Sequence, residues 1–225
     1  MASRLPNLDA TLFFRDKAPA MKKSTFTTIF LVALAFMGSS PSHAKLLQIL
    51  HTNDTHSYLD NSTHSTTRGG MARLKALMNM YKAQAEAQGI KTIAVDAGDF
   101  LEGNIYYMAK DGRATFNIHN EMGYDIGTLG NHDYQMGSAE LDKILGEIDL
   151  KFSLIVANMD ASSKYKNINS KIKPYKEINV DGTKIAFLGL TTDEIFYKWR
   201  LARGAVKNPI DAAQEYEKEL KNRGN

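Results

Sequence analysis

Three times along this sequence a short apolar run of strand character ends in a compact polar cluster, and a helical stretch follows. Leu46-Leu47-Gln48-Ile49-Leu50 runs into His51, Asp54 and His56, within a polar loop from Asn53 to Thr67. Thr92-Ile93-Ala94-Val95, a continuous apolar run of the buried-strand type, leads into Asp96-Ala97-Gly98-Asp99. Tyr124-Asp125-Ile126-Gly127-Thr128-Leu129 leads into Gly130-Asn131-His132-Asp133. Between them, Met71, Leu74, Leu77, Met78 and Tyr81 recur at helical spacing after Gly69 and Gly70, and Gly89 stops that helix. Helices are expected again over Arg113 to Met122 and Ala139 to Ile148. Alternating strands and helices specify an α/β layered fold, in which functional groups gather at the carboxyl ends of the strands.

The rest of the chain extends the pattern. Ser153-Leu154-Ile155-Val156 reads as a further strand, and Ile210 to Leu220 as a closing helix. Tyr175 to Val180 and Lys184 to Leu190 flank Asp181-Gly182, a pair that favours a type I' turn, so they are expected to form a β-hairpin.

Composition excludes several functions. The formal charge of the 225-residue chain is only +3, with Lys and Arg scattered among Asp and Glu, so no basic stripe exists to neutralise a nucleic-acid backbone. With no Cys, thiolate zinc sites, disulfides, thiol nucleophiles and lipoprotein anchoring are excluded. Lys22 and Lys23 precede the apolar run Phe26 to Met37, and Ser42 and Ala44 supply small residues after it. That is the pattern of a signal peptide over Met21–Ala44, with the mature chain starting at Lys45. The run is well short of the roughly 20 apolar residues a bilayer span needs. A periplasmic or secreted protein, with no membrane attachment after cleavage, is therefore expected. Residues 1–20 read neither as signal nor as core, and residues 1–44 are set apart from a folded domain at 45–225.

The polar clusters have a shared chemistry. Asp54-Thr55-His56, Gly98-Asp99 and Gly130-Asn131-His132-Asp133 are each weak signals alone, because such pairs often cap or turn a chain. In sequence, each just beyond a strand, they supply the hard oxygen and imidazole donors that two adjacent divalent ions require for phosphoester hydrolysis. A carboxylate can bridge two ions, which suits Asp99, while Asp54 and His56 can turn toward one ion. Asn131 offers the second ion a neutral oxygen, and His132 beside it can donate a proton or hydrogen bond to the ester. Other candidates have ordinary readings: His51 orients the first loop, His64 and His119 are surface or packing residues, and Phe196, Tyr197 and Trp199 are an aromatic packing group. Asn61-Ser62-Thr63 matches a glycosylation acceptor, relevant only in a eukaryotic secretory pathway.

These residues resemble the calcineurin-like metallophosphoesterases, specifically the secreted 5'-nucleotidases with the UDP-sugar hydrolases and 2',3'-cyclic nucleotide phosphodiesterases. The similarity is carried by Ile49 to His56, Asp96 to Asp99 with Gly103, Met122 to Asp125, Leu129 to Asp133, Ala157-Asn158 and Gly189 to Thr192. It implies a layered β-sandwich flanked by helices, a small nucleotide or phosphoester substrate, and two divalent ions such as Zn or Mn. It further implies that Asp54 and His56 bind the first metal, Asp99 bridges, Asn131 binds the second and His132 is catalytic.

Two departures qualify those expectations. Nucleotidases of the family usually carry Asp three residues after the catalytic His, and this chain has Gln135, whereas the cyclic-nucleotide branch carries Asn there. The family also draws two further His and a Gln or His from later strands, and no His follows His132 here. The expectation is an amino-terminal part of the domain, truncated at its carboxyl end, with an incomplete second metal site and little activity. The alternative is a catalytically silent fragment that at most binds metal or phosphate.

Overall fold

The computed structural model describes residues 46–60, 69–194 and 204–224. The expected signal peptide, His64, Asn61-Ser62-Thr63 and the expected aromatic group at Phe196 to Trp199 lie outside them. Strands β1 (Leu47–Thr52), β2 (Lys91–Asp96), β3 (Ile126–Gly127) and β4 (Ser153–Ile155) pair in parallel, in chain order. Strand β5 (Met159–Asp160) lies apart, and β6 (Ile172–Lys173) completes the five-stranded sheet beside β4. Parallel pairing brings the ends of β1, β2 and β3 to one rim, with Thr52 opposite Asp96 and Asp96 opposite Gly127.

Helices α1 (Met71–Glu86), α2 (Arg113–Glu121) and α3 (Ser138–Glu147) connect the first four strands, with a 3₁₀ turn at Ile105–Met108 before α2. Their apolar positions build the main core on one side of the sheet, where Met71, Met78, Phe116, Leu141, Ile144 and Leu145 meet Ala94 and Leu154. The other side is covered by the hairpin β7 (Tyr175–Val180) and β8 (Thr183–Leu188), whose Ile178 and Phe187 pack on Ile93, Ile126 and Ile155. Asp181 and Gly182 both take positive φ, 50° and 84°, as the expected I' turn demands. Sheet, helices and hairpin form the expected layers.

The short α4 (Lys166–Lys171) and the pair of β5 with β9 (Ala205–Val206) carry no strong sequence periodicity. Their positions depend on specific hydrogen bonds. Asp142 of α3 accepts from the backbone N–H groups of Asn167 and Ile168 at 2.8 and 3.0 Å. Asn158, fully buried, accepts from the Thr191 N–H and donates to the carbonyls of Thr191 and Lys207. One amide thereby joins three segments distant in sequence. The closing helix α5 (Pro209–Asn222) opens with Asn208 as its cap, whose side-chain oxygen accepts from Ile210 and Asp211, and with Pro at its first position.

Two strand boundaries differ from the sequence expectation. The third strand shrinks from Tyr124–Leu129 to Ile126–Gly127, where the register with β2 ends as the chain enters the rim loop; the Thr128 N–H donating to the Asp96 carbonyl at 3.0 Å is the last of its bonds to β2. The first strand extends through Thr52, so His51 belongs to β1 itself, exposed, rather than to the loop after it.

Candidate metal centre

The rim loops are fastened to one another before any ligand is considered. The β1 loop donates N–H groups from Asp54, His56 and Ser57 to the carbonyls of Gly98, Asp99 and Phe100 in the β2 loop, at 2.9, 3.0 and 2.9 Å. The β2 loop is tied to the β3 loop through Asp133, whose buried carboxylate accepts from the N–H groups of Asp99 (2.7 Å), Leu101 (2.8 Å) and Gly130 (2.8 Å). Burial drives this carboxyl well above the usual carboxylate range, and the donors pull it back in part. The sequence motif counted Asp133 among the polar cluster; the fold uses it as the clamp beneath the candidate ligands.

Two glycines permit the close approach. A Cβ on Gly130 would stand 2.0 Å from Oδ1 of Asp99, and one on Gly103 would stand 2.6 Å from Cβ of His56. The backbone around them enters the left-handed region, with strain at His56 and Glu102: Asp54, His56, Asp99 and Glu102 adopt φ of 53°, 43°, 55° and 65°. Side chains other than Gly, Asn or Asp pay of order 1 kcal/mol or more in that region, and such residues cluster where function requires them.

This geometry brings three of the sequence-selected residues together. Ligating atoms of His56, Asp99 and His132 all lie within 4.8 Å of one another, and all three residues are half-buried. The rings of His56 and His132 meet edge to face at 4.9 Å between centroids. Asp99 takes the His132 N–H on Oδ1 at 2.9 Å, which fixes its carboxylate plane and leaves Oδ2 for the site. Asp54 stands at the margin, exposed, with Oδ1 3.5 Å from Nε2 of His56 and its other oxygen held by Asn53. Asn131 lies half-buried between Gly130 and His132 in the β3 loop. A mixed set of imidazole and carboxylate donors at this spacing fits a divalent ion of the Zn or Mn kind.

A residue the sequence did not single out completes the cluster. Glu102 Oε2 contacts Nδ1 of His132, and Gln135 reaches the same nitrogen at 2.7 Å. Glu102 comes only three positions after Asp99, in the loop turned by Gly103; its φ of 65° is the signal that marks it, and that is visible only in three dimensions.

Behind the rim, His119 is packed rather than functional, as expected. It is fully buried and stacked between Phe100 and Tyr124, at 4.4 and 4.6 Å. Among the described residues neither of its nitrogens has a hydrogen-bond partner, and burial lowers its pKa to about 3. Asp96, 3.8 Å away, is raised to about 6, mainly by burial. At neutral pH the imidazole is therefore uncharged, and the contact is not an ion pair.

The chain belongs to the calcineurin-like phosphoesterases. The family model matches residues 47–209, from β1 to the start of α5. The NAD 5'-nucleotidase of Haemophilus influenzae is 32% identical over 191 residues, which is 80% of this chain and 30% of that protein. The trifunctional nucleotide phosphoesterase YfkN of Bacillus subtilis is 29% identical over 76% of this chain and 13% of its own length. The solved structure of the Haemophilus influenzae NAD nucleotidase superposes with a TM-score of 0.68 at 28% identity, covering 79% of this chain and 32% of that one. This calcineurin-like phosphoesterase chain thus spans about a third or less of the length of these relatives.

Proposed function

We propose that this chain carries the amino-terminal metal-binding part of a nucleotide phosphoesterase of the 5'-nucleotidase type, within a folded domain at 45–225 that follows an export signal. The observation that carries the proposal is the convergence of His56, Asp99 and His132 from three separate loops on one rim. Relatives named as 5'-nucleotidases, including snake-venom enzymes and a Thermus thermophilus precursor, support both the substrate class and export.

Each residue has a defined task. His56 and Asp99, with Asp54 beside them, hold a divalent ion, and Asn131 extends the site toward a second one without adding negative charge against an anionic substrate. A bound divalent ion neutralises phosphoryl charge and acidifies water. His132 faces the same point and handles the proton at the ester oxygen, as a positioned imidazole does near neutral pH. The strained, cross-bonded loops keep these groups in place before substrate arrives.

For the 225-residue chain itself we expect one firmly held ion and slow turnover. One group of three such ligands occurs among the described residues, and of the residues proposed above Asp99 and Asn131 are the two that face a second ion. Metal analysis after loading with Mn, Zn or Co should find about one ion per chain, with affinity lost at least ~10-fold in Asp99→Ala, in line with removing a ligand. Phosphate release from nucleoside monophosphates and cyclic nucleotides should fall well below the usual ~1–10³ s⁻¹ of enzymes and vanish in His132→Ala. Metal binding without turnover would instead favour a silent, metal-binding chain. Absence of any bound ion would overturn both readings.

A further inference from the structure

We propose that Glu102 is the residue that orients His132, in the place left by the amide at Gln135. The inference rests on the role given above to His132, and goes beyond it by assigning the partner that sets the ring's tautomer.

The argument begins with hydrogen-bond inventory. An ionised carboxylate can only accept, so the contact between Oε2 of Glu102 and Nδ1 of His132 requires the proton on Nδ1. A neutral ring then keeps its lone pair on Nε2. An amide at the same nitrogen gives no such instruction. Gln135 stands 2.7 Å from Nδ1, and a half-turn of its amide presents either a donor or an acceptor. Only the carboxylate selects one tautomer, and its charge strengthens the bond.

The backbone agrees with a dedicated role. Glu102 sits at φ 65°, with its side chain only 34% exposed, on a loop turned by Gly103 at φ 82°. A long, charged side chain has no intrinsic reason to occupy that conformation, and its cost persists only where the surroundings impose it. The loop is held by the Leu101 N–H to the Asp133 carboxylate at 2.8 Å, so the clamp under the metal centre also aims Glu102. Glu102 acts through its contact with His132 Nδ1; it is a positioning residue.

Gln135 supplies the test, because it is one atom type away from a carboxylate of equal length. Glu102→Gln removes the charge from His132, and the double variant Glu102→Gln with Gln135→Glu returns it from the other side. The ring nitrogens of His132 are read by long-range ¹⁵N–¹H correlation and are assigned by their loss in His132→Gln. The wild type should show the Nδ1–H tautomer, Glu102→Gln should lose that preference, and the double variant should restore it. Metal stoichiometry should be unchanged in all three. Where the chain hydrolyses substrate, kcat should fall about 10–100-fold in Glu102→Gln with KM unchanged, as for loss of a group that orients a functional histidine, and recover in the double variant.

An Nε2–H tautomer in the wild type, or an unchanged tautomer in Glu102→Gln, would overturn the assignment, as would lost metal in Glu102→Gln, which would make Glu102 a ligand. A wild type without turnover counts against the phosphoesterase reading alone, since the tautomer is measured independently of it.

Discussion

The polar tips of the rim loops and the helix-side core hold their shape by different means. In the core, Phe116, Leu145 and Leu154 are buried by simple apolar packing, and even the imidazole of His119 lies between aromatic rings with no hydrogen-bond partner among the described residues. On the rim, Phe100, Leu101, Leu129 and Tyr134 also sink into that core, but backbone N–H groups, a buried carboxylate and glycine contacts determine where the polar part of each loop goes. Packing tolerates small displacements because its energy is spread over many weak contacts. A hydrogen-bonded clamp does not: removing one acceptor leaves buried donors with nothing to bond, and each costs about 1–3 kcal/mol. Stability should therefore be separable from metal binding.

The largest effect is expected from Phe116→Ala, which empties a fully buried ring site and should cost about 4 kcal/mol, measured by denaturant unfolding. The folded fraction should still bind Mn or Zn with wild-type affinity. A variant that lost metal affinity in proportion to stability would show that core and rim are not separate.

Next is Asp133→Ala, which strips acceptors from the N–H groups of Asp99, Leu101 and Gly130 and should cost roughly 3 kcal/mol. Here metal affinity should drop more than stability predicts, because Asp99 and Glu102 both ride on the released loop. Calorimetric titration of the folded variant with Mn decides it. Wild-type affinity would sink the idea that Asp133 clamps the centre.

A smaller effect separates the two regions by pH. His119 is depressed from 6.5 to about 3, so its contribution to stability is present above the unfolded value and is lost as pH falls toward the folded one. Asp96 is raised from 3.8 to about 6, so its contribution has the opposite sign: present below 3.8 and lost as pH rises through about 6. The two slopes oppose each other in mildly acidic solution. His119→Leu removes one and leaves the other, so the variant should gain on the wild type by about 1.4 kcal/mol per pH unit as acid is added below pH 6.5. Parallel stability curves for the two proteins would show that His119 is not held neutral by the core.

How much of this was legible beforehand follows the range of the forces involved. The layered α/β fold, the helix Met71–Glu86 and the hairpin turn at Asp181-Gly182 are written in local periodicity and turn chemistry. So is the placing of His56, Asp99 and His132 on one rim, since parallel strands of a sheet end together. The same reasoning proposed Asp54 as an equal ligand, whereas the fold leaves it exposed at the edge of the group. Short α4, β5 and β9 escaped it because side chains distant in sequence, Asp142 and Asn158, hold them.

The sequence by itself determined the family, the layer order and the residue types at the strand ends, because those depend on spacings of two to four residues and on the chemistry of the side chains. Only the tertiary structure decided that Asp133 clamps the loops rather than binding metal, and that Glu102 rather than Gln135 offers His132 a carboxylate. Both roles arise where loops cross, and a crossing is set by backbone hydrogen bonds and by the absence of a Cβ at Gly130 and Gly103, quantities that no local spacing contains.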